Sequence, residues 1–303
     1  MADVDVIVVS YNSADHLRAC VTPLTRVDGA SVVIVDSAST DESVSSVADL
    51  PVTVVRLEEN RGFAHGCNAG ARIGSAAYVL LLNPDATLDA DSLERMVAAA
   101  DADPRIGAVA PRIEEPDGTL DWSQRRFPRL RSTFAQAFFL HRLFPLAPWT
   151  DEVLRDADAY RRPGSPEWAS GACLLVRRTV LERLGGLDDG FFLYCEDMDL
   201  CRRLRDAGFE VRFEPEAIAV HSGGASAPRA ALLPVLAASR IRYARKHQPA
   251  HVALLERLGV IAGGLTHALV TRGGPAARRG NVRAATRALT PRPRPGLDAP
   301  RRA

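Results

Sequence analysis

The sequence predicts an α/β fold with a mostly parallel central sheet flanked by helices, followed by a helical extension. Short apolar runs alternate with helical patterns over roughly the first hundred residues, and the chain shows no internal repeat. This alternation is typical of successive strand–helix–strand units with right-handed connections. The predicted strands lie at residues 4–10, 31–36, 52–57, 77–83 and 106–110, and the predicted helices at residues 13–25, 41–48, 63–75 and 89–102.

Two predicted strands end on acidic or amide residues. Asp36 ends the second strand, and the apolar run before Asn83 is followed directly by Pro84 and Asp85. Ligands bind beyond the carboxyl ends of strands in open α/β sheets, which makes both carboxylates candidate site residues. A simple turn at residues 83–85, with Asp85 capping the next helix, explains these three residues equally well.

Composition limits the class of protein. The chain has 303 residues, of which 47% are hydrophobic and 25% charged, as expected for one large soluble domain with an appendage. Five cysteines occur without a CxxC motif, and the N-terminus enters a predicted strand without a signal-peptide pattern, so we expect a cytoplasmic protein with reduced thiols. The longest apolar stretch, at 252–270, contains charged residues, so a transmembrane span is not expected.

Charge is distributed unevenly along the chain. The net charge is +1, but fourteen Lys or Arg residues and only two acids follow position 238, so this part carries +12 and the preceding residues −11. We expect a helical extension at 226–272 and a disordered basic tail at 273–303. This region either makes peripheral contact with a membrane or is a solvated helix packed on the preceding domain with a flexible tail. Nucleic acid is not an expected partner, because no aromatic residue follows Tyr243 to stack on a base.

Two common nucleotide-binding motifs are missing. The first strand is followed by SYNSADH, which lacks the glycines that a dinucleotide-binding turn requires. No GxxxxGK[ST] sequence occurs either, which argues against a P-loop.

Seven motifs, in order, resemble those of a known enzyme family. They are VIVVSYNSADHLRAC, IVDSASTDES, ENRGFAHGCNAG, YVLLLNPDATL, WASGACLLVRR, LGGLDDGFFLYCEDMDLCRRLRDAGF and AVHSGG. Their order and spacing resemble family 2 glycosyltransferases of the GT-A fold, above all the bacterial rhamnosyltransferase-type enzymes of cell-wall and surface polysaccharide synthesis. The resemblance covers about 4–225. It implies a GT-A domain at 1–225, with a nucleotide-binding half at 1–110 and an acceptor-side half at 111–225.

The resemblance implies inverting, metal-dependent sugar transfer from a nucleotide diphosphate sugar to a glycan or lipid-linked glycan, at the cytoplasmic face of the membrane. We expect dTDP-rhamnose as the donor, ahead of UDP-galactose and UDP-glucose. A catalytically silent nucleotide-sugar or glycan-binding subunit is the alternative. Its support is Asn83, which stands where the family's Asp-x-Asp motif has its first acid.

Asp85 is the metal ligand implied by the resemblance, and His221, after a short apolar run, is a second candidate ligand for Mg²⁺ or Mn²⁺. The other donor-binding candidates are Ser10, Tyr11, Asn12, Asp36, Asn60, Arg61, Gly62, Phe63, Asn68 and Asn83. Asp41 either assists them or only starts a helix. We expect Gly62, Gly66 and Gly70 to let the backbone approach the donor.

The predicted catalytic base lies in FLYCEDMDLCRR. By resemblance Asp197 is the base, with Glu196 as an alternative base or an acceptor-binding residue, while Asp199 is expected to pair with Arg203. Trp168, Ser170 and Gly171 are the other acceptor-binding candidates, although Trp168 suits core packing equally well. The aromatic residues between 134 and 144 predict either a packing helix or a membrane-facing one.

Overall fold

A computed structural model describes residues 3–223 and 228–290. These residues form two compact units. The first contains residues 3–125, 156–189 and 196–223, and the second contains residues 126–155, 190–195 and 228–290. Residues 126–155 therefore belong with the C-terminal helices, whereas the sequence assigned them to the acceptor-side half of the GT-A domain.

The strands are β1 Val4–Ser10, β2 Ala30–Asp36, β3 Thr53–Arg56, β4 Tyr78–Leu82, β5 Ala86–Leu88, β6 Ile106–Glu114, β7 Leu120–Asp121, β8 Gln124–Arg125, β9 Trp168–Ala169, β10 Cys173–Arg177 and β11 Glu210–His221. The α-helices are α1 Ala14–Val21, α2 Phe63–Ala71, α3 Ala90–Asp101, α4 Leu130–Ala137, α5 Leu140–Leu143, α6 Arg178–Arg183, α7 Glu196–Asp206, α8 Arg229–His247, α9 Ala250–Val270 and α10 Gly274–Leu289. Three 3₁₀ turns span Leu24–Arg26, Ser45–Val47 and Ala157–Tyr160.

A nine-stranded sheet forms the centre of the first unit. Its order is β3-β2-β1-β4-β10-β6-β11-β5, with β7 paired to β6. Strands β1 to β4 include three parallel pairs, and β11 is parallel to β6, while β10 and β5 run antiparallel to their neighbours. The predicted α/β fold with a mostly parallel sheet is confirmed. The carboxyl ends of β1, β2 and β4 consequently meet at one edge of the sheet.

The strands at the centre of the sheet are buried on both faces, as their mostly apolar sequences predict. Alternate residues of β1 enter two hydrophobic clusters. Val6 packs in a cluster that also contains Leu17 of α1 and Leu93 of α3. Ile7 belongs to the opposite cluster, together with Leu200 of α7. Because successive side chains of a strand point to opposite faces, β1 packs against helices on both sides of the sheet.

Two local predictions differ from the structure. The helix expected at 41–48 is only a 3₁₀ turn at Ser45–Val47. Side chains compete with the helical pattern there, because Asp41 accepts a hydrogen bond from the amide of Ser43, and the hydroxyl of Ser45 donates to the carbonyl of Glu42. Strand β5, which follows Asp85 directly, was not predicted, since three residues carry too little periodicity to be recognised.

Helices α8, α9 and α10 lie in the second unit, and α10 corrects a prediction. The sequence predicts a disordered tail from 273, yet Gly274–Leu289 is helical. Small residues make this packing close: a Cβ on Gly280 would lie 2.5 Å from the carbonyl oxygen of Ala230 in α8, and one on Gly264 of α9 would lie 2.9 Å from Cβ of Ala285. The part of the predicted tail after position 290 lies outside the described residues.

A buried ion cluster stabilises the second unit. Arg240 of α8 donates hydrogen bonds to both carboxylate oxygens of Glu152, at 2.7 and 2.8 Å, and to Glu256 of α9 at 2.8 Å. Thr133 of α4 completes the cluster through its hydroxyl, which donates to Glu256 at 2.6 Å. The cluster links α4, α8 and α9 through these hydrogen bonds. Removal of one partner would leave a buried charge uncompensated.

Candidate active site

A carboxylate and an imidazole meet at the carboxyl end of β4. Oδ1 of Asp85 lies 3.2 Å from Nε2 of His221, and both side chains are largely buried. The antiparallel pairing of β5 with β11 places His221 opposite Ala86, and the amide of Ser222 donates to the carbonyl of Asp85 at 3.1 Å. The side-chain amide nitrogen of Asn83 lies 3.3 Å from the same imidazole nitrogen. The two predicted metal ligands are therefore neighbours in space.

The charge of Asp85 dominates the protonation of this pair. Burial lowers the pKa of His221, but the hydrogen bond and negative charge of Asp85 outweigh burial, so the pKa lies above its usual value. The imidazole is thus protonated more readily than a free one, and its charged form would neutralise the buried carboxylate.

This donor set fits a hard divalent cation completed by substrate. Mg²⁺ is usually bound through one or two carboxylates together with substrate phosphates, and imidazole also suits Mn²⁺. Within residues 3–223 and 228–290, no group of three or more His, Cys, Asp and Glu side chains could hold a metal by itself. Asp85 and His221 therefore suit a cation that arrives with a diphosphate better than a permanent structural ion.

Three buried polar atoms at the neighbouring strand ends lack partners. Ser10 ends β1 opposite Asp36, which ends β2 and is followed by Ser37. In the part of the chain that the structure describes, Oγ of both serines and Oδ1 of Asp36 have no hydrogen-bond partner. Buried polar groups are normally paired, so this cluster indicates a ligand that supplies donors and acceptors. Oδ2 of Asp36 accepts from the amide of Ser39 at 3.3 Å, which orients the carboxylate.

Asn12 and Asp41 organise the loops beside this cluster. Asn12 adopts a left-handed backbone with φ 51°, and its side-chain oxygen accepts a hydrogen bond from the amide of Thr40 at 2.8 Å. Tyr11, next to it, is half-buried. Asp41 accepts from the amide of Ala14 at 3.1 Å, at the start of α1. Asp41 therefore joins its own turn to the start of α1, a structural role other than the helix start predicted for it.

The loop before α2 has the geometry expected of a ligand-binding turn. The side-chain oxygen of Asn60 accepts from the amide of Gly62 at 2.9 Å, and Gly62 has φ 95°, a conformation that favours glycine. Helix α2 begins at Phe63, which is half-buried, and the preceding Arg61 is exposed. The N-terminus of α2, with an arginine beside it, suits a phosphate.

Three other residues of α2 make close contacts within the first unit. A Cβ on Gly66 would lie 2.6 Å from Val9, and one on Gly70 would lie 2.5 Å from Ile7, so both glycines allow α2 to pack on β1 and do not face a donor. Asn68 is buried, and its amide group exchanges hydrogen bonds of 2.8 and 2.9 Å with the backbone of Leu187. The glycines share one helix face by their four-residue spacing, a pattern that fits packing as well as binding.

Asp197 lies in the first turn of α7 and is held by backbone amides. Its Oδ2 accepts from Gly171 at 2.9 Å, and its Oδ1 accepts from Met198 at 2.7 Å. Gly171 allows this approach, because a Cβ there would lie 3.0 Å from Cβ of Asp197. One residue further on, the carbonyl of Ala172 accepts from the amide of Asn83 at 2.9 Å. The loop at 170–172 thus connects Asp197 with the end of β4.

Glu196 and Asp197 are adjacent carboxyls, and burial raises the pKa of each. Burial, followed by the charge of Asp197, raises the pKa of Glu196 well above its usual range, and Oε2 of Glu196 has no partner among the described residues. Burial also raises the pKa of Asp197, but the amides of Gly171 and Met198 and the positive charge of Arg125 oppose that effect. The pKa of Asp197 stays raised, but its surroundings oppose the rise more strongly than those of Glu196 do, so Glu196 is the more readily protonated of the two carboxyls.

Asp199 has the structural role that its position predicts. It is fully buried, and its carboxylate accepts a hydrogen bond of 2.8 Å from Arg203, four residues further along α7. The predicted pair with Arg203 is confirmed.

Arg125 was missed by the sequence analysis. It lies in β8 directly opposite Trp168 of β9, and its guanidinium is 5.6 Å from the centre of the indole ring. Ser170, which follows β9, accepts from the amide of Ala172 at 3.3 Å. Trp168 is half-buried, so part of the indole is accessible beside the guanidinium. The only signal for Arg125 in the sequence is an arginine within the run DWSQRRF, which has no characteristic spacing.

A mostly parallel sheet with Asp85 and His221 near the carboxyl end of β4, and buried acids in the first turn of α7, is the arrangement expected of a glycosyltransferase of the GT-A fold. Residues 5–185 match the family model described as "Glycosyl transferase family 2". The chain belongs to this family and is a glycosyltransferase with rhamnosyltransferase-like relatives.

The similar curated proteins include two bacterial rhamnosyltransferases. One is the "N-acetylglucosaminyl-diphospho-decaprenol L-rhamnosyltransferase" of Mycobacterium tuberculosis, 32% identical over 238 residues, which are 73% of this chain and 76% of the relative. The other is "Rhamnosyltransferase WbbL" of Escherichia coli K12, 30% identical over 168 residues, which are 53% of this chain and 60% of the relative.

Solved structures of low sequence identity share the fold. The mannosyltransferase PcManGT from Pyrobaculum calidifontis, solved in complex with GDP-Man and Mn²⁺, aligns with a TM-score of 0.58 and 21% identity, covering 95% of this chain and 89% of that one. GalNAc-T7, solved with UDP, GalNAc and Mn²⁺, aligns with a TM-score of 0.57 and 14% identity, covering 86% of this chain and 54% of that one.

Proposed function

We propose that the protein transfers rhamnose from dTDP-rhamnose to a lipid-linked glycan, with inversion at the anomeric carbon and with the help of Mg²⁺ or Mn²⁺. The observation that carries the proposal is the connection of Asp85 and His221 with Asp197 through Asn83 and the loop at 170–172. The names of the two rhamnosyltransferase relatives support the sugar, and the name of the mycobacterial one supports a lipid diphosphate acceptor.

The donor fits the edge formed by β1, β2 and the start of α2. Ser10, Asp36 and Ser37, whose buried oxygens lack partners within the described residues, would bind the nucleoside. Asn12 and Tyr11 shape the loop above them, while Asn60, Arg61, Gly62 and Phe63 place a helix N-terminus near the phosphates. Asp85 and His221 would hold the cation, which when bound neutralises the charge of the departing diphosphate.

The protein's own acid–base chemistry lies on α7. Asp197 would accept the proton of the acceptor hydroxyl as that oxygen attacks the anomeric carbon, and a single displacement gives inversion. The amides of Gly171 and Met198 fix the carboxylate and favour its ionised form. A protonated Glu196 beside it keeps the two carboxyls at a single negative charge and contacts the acceptor.

The acceptor would enter over Trp168, Ser170 and Gly171. The indole supplies an apolar plane for a sugar ring, and Arg125, across the two-stranded sheet from it, supplies a positive charge for a phosphate of the acceptor. Since a lipid-linked acceptor is held in a bilayer, we place the reaction at the cytoplasmic face of the membrane, with peripheral contact through the basic C-terminal region.

A donor screen tests the proposal. The purified full chain is incubated with dTDP-rhamnose, UDP-galactose, UDP-glucose or GDP-mannose, with and without Mn²⁺, and nucleotide release is measured. We expect release from dTDP-rhamnose that depends on the cation. Release from another donor alone would reject the rhamnosyl assignment, and release from none, with donor binding retained, would favour a silent binding subunit.

A further inference from the structure

Exposed apolar side chains are concentrated in the second unit. Among the described residues, fifteen large hydrophobic side chains are exposed, and only Ile73 and Ile218 belong to the first unit. The other thirteen lie in the second, although it is the smaller of the two. Contiguous exposed apolar surface usually marks an interaction site, and α9 contributes six of these thirteen side chains, more than any other described helix.

Helix α9 carries a row of exposed leucines. Leu254, Leu258, Leu265 and Leu269 are 55%, 48%, 51% and 77% exposed. Their spacing of four, seven and four residues places them on one side of the helix, over a length of about 22 Å. We call this row, with Leu255 beside it, the leucine face.

The remaining sides of α9 are covered within the second unit. Gly259 packs against α4, where an added Cβ would lie 2.6 Å from a methyl group of Thr133. Gly264 packs against α10, and the buried Glu256 forms its ion pair with Arg240 of α8. The leucine face is therefore the side of α9 that no other described helix covers.

By length and composition α9 is the one described helix that could cross a membrane, although a single such helix is a weak indication. Crossing would pull Glu256 away from Arg240 and leave charges in hydrocarbon, which is costly. A helix with one apolar side and a packed opposite side suits an orientation parallel to the membrane plane.

The part of the chain that contains the leucine face carries mostly positive charge. Between positions 240 and 290 the sequence contains ten Lys and Arg residues and a single acid, Glu256, which is buried and paired. Arg272 follows α9, and Arg278, Arg279 and Arg283 are exposed on α10, which packs against α9. Two copies of this chain joined through the leucine face would bring positive charges together, whereas anionic headgroups would neutralise them.

We propose that the leucine face of α9, with the exposed arginines of α10, binds the surface of an anionic lipid bilayer. The leucines would enter the boundary between headgroups and acyl chains, and the arginines would contact phosphate groups. The inference deepens the proposed function, because a lipid-linked acceptor is presented at such a surface.

Sedimentation with vesicles tests the inference without donor or acceptor. The full chain is mixed with phosphatidylcholine vesicles, with or without phosphatidylglycerol, at low and high salt. It is compared with a Leu258→Asn/Leu265→Asn variant, an Arg278→Gln/Arg279→Gln/Arg283→Gln variant, and the control Ile73→Asn, which changes an equally exposed side chain of the first unit. Thermal unfolding and dTDP binding verify that each variant is folded.

We expect the full chain and Ile73→Asn to sediment with anionic vesicles and to be released by salt. The partition coefficient for anionic vesicles should fall about 100-fold in the leucine variant. In the arginine variant it should fall about fivefold for each arginine that contacts the bilayer. Recovery of the full chain in the supernatant with all vesicles would overturn the inference, as would unchanged sedimentation of the leucine variant. A concentration-dependent dimer that the leucine substitutions abolish would assign the face to a second copy instead. Since no sugar is present, these outcomes are independent of the donor screen.

Discussion

Asp85 and His221 lie 136 positions apart in the chain, yet Oδ1 of the carboxylate is 3.2 Å from Nε2 of the imidazole. The short strand β5 makes this contact, because its antiparallel pairing with β11 aligns His221 with Ala86. The pair supplies both protein ligands proposed for the cation.

Loss of either ligand should weaken cation-dependent donor binding. We expect Asp85→Ala and His221→Ala each to reduce Mn²⁺-dependent binding of dTDP by about tenfold or more, because the cation would keep one protein ligand. Calorimetric titration with dTDP, with and without Mn²⁺, measures the effect, and His251→Ala, at an exposed position of α9, is the control. Equal Mn²⁺ dependence in all four proteins would remove these residues from the metal site.

Neutralisation of Asp197 should abolish turnover and spare donor binding. Removal of a general base costs about 10² or more in rate, so Asp197→Asn should lose at least that factor in kcat while it binds dTDP and Mn²⁺ normally. Glu196→Gln, which resembles the protonated state proposed for Glu196, should retain most of its turnover. Near-normal transfer by Asp197→Asn, with a large loss in Glu196→Gln, would reverse the two assignments.

Arg125 should extend activity to lower pH. Burial raises the pKa of Asp197 and the positive charge of Arg125 opposes that effect, so in Arg125→Ala the pKa rises further and the carboxylate is protonated at a higher pH. Activity should therefore fall more at about pH 6 than at about pH 8. Profiles of kcat against pH for the parent, Arg125→Ala and Arg125→Lys test this, and Lys should restore the parent profile. A uniform loss across the pH range would indicate a purely structural role.

Glu196 should make stability depend on pH. Its pKa in the folded protein is raised, so its contribution to stability is complete below the unfolded pKa of about 4.3 and is lost as the pH rises toward the folded pKa. Glu196→Gln avoids this loss and should gain about 1.4 kcal/mol over the parent for each pH unit in that range. Urea unfolding at several pH values measures the difference, with the exposed Glu58→Gln as control. An identical pH dependence in parent and Glu196→Gln would show that Glu196 ionises normally.

Short apolar runs allowed five strands of the sheet to be predicted. All five are present, because the runs around Val6 and Leu80 are mostly apolar, as buried strands require. The pairing of α10 with α8 and α9 was not predictable, since it depends on close contacts of Gly264 and Gly280 that a composition of Ala, Arg and Gly does not reveal.

The candidate site was predicted in part for similar reasons. Asp85 and Asp36 end strands and were recognisable from that position, and the motif around Asp197 marked the other side. The structural roles of Gly66 and Asn68 depend on contacts with Val9 and Leu187, which the sequence does not show. Arg125 was not predicted as a site residue, because its position opposite Trp168 depends on the pairing of two short strands, β8 and β9.

Transfer to a lipid-linked acceptor tests the central claim most directly. The full chain, Mn²⁺ and dTDP-rhamnose are incubated with a polyprenyl-diphospho-N-acetylglucosamine, and the product is analysed by mass spectrometry and by NMR of the new anomeric centre. We predict one added rhamnose of inverted configuration, formed by the parent and lost by a factor of about 10² or more in Asp197→Asn. A product of retained configuration, or equal product from parent and Asp197→Asn, would contradict the account.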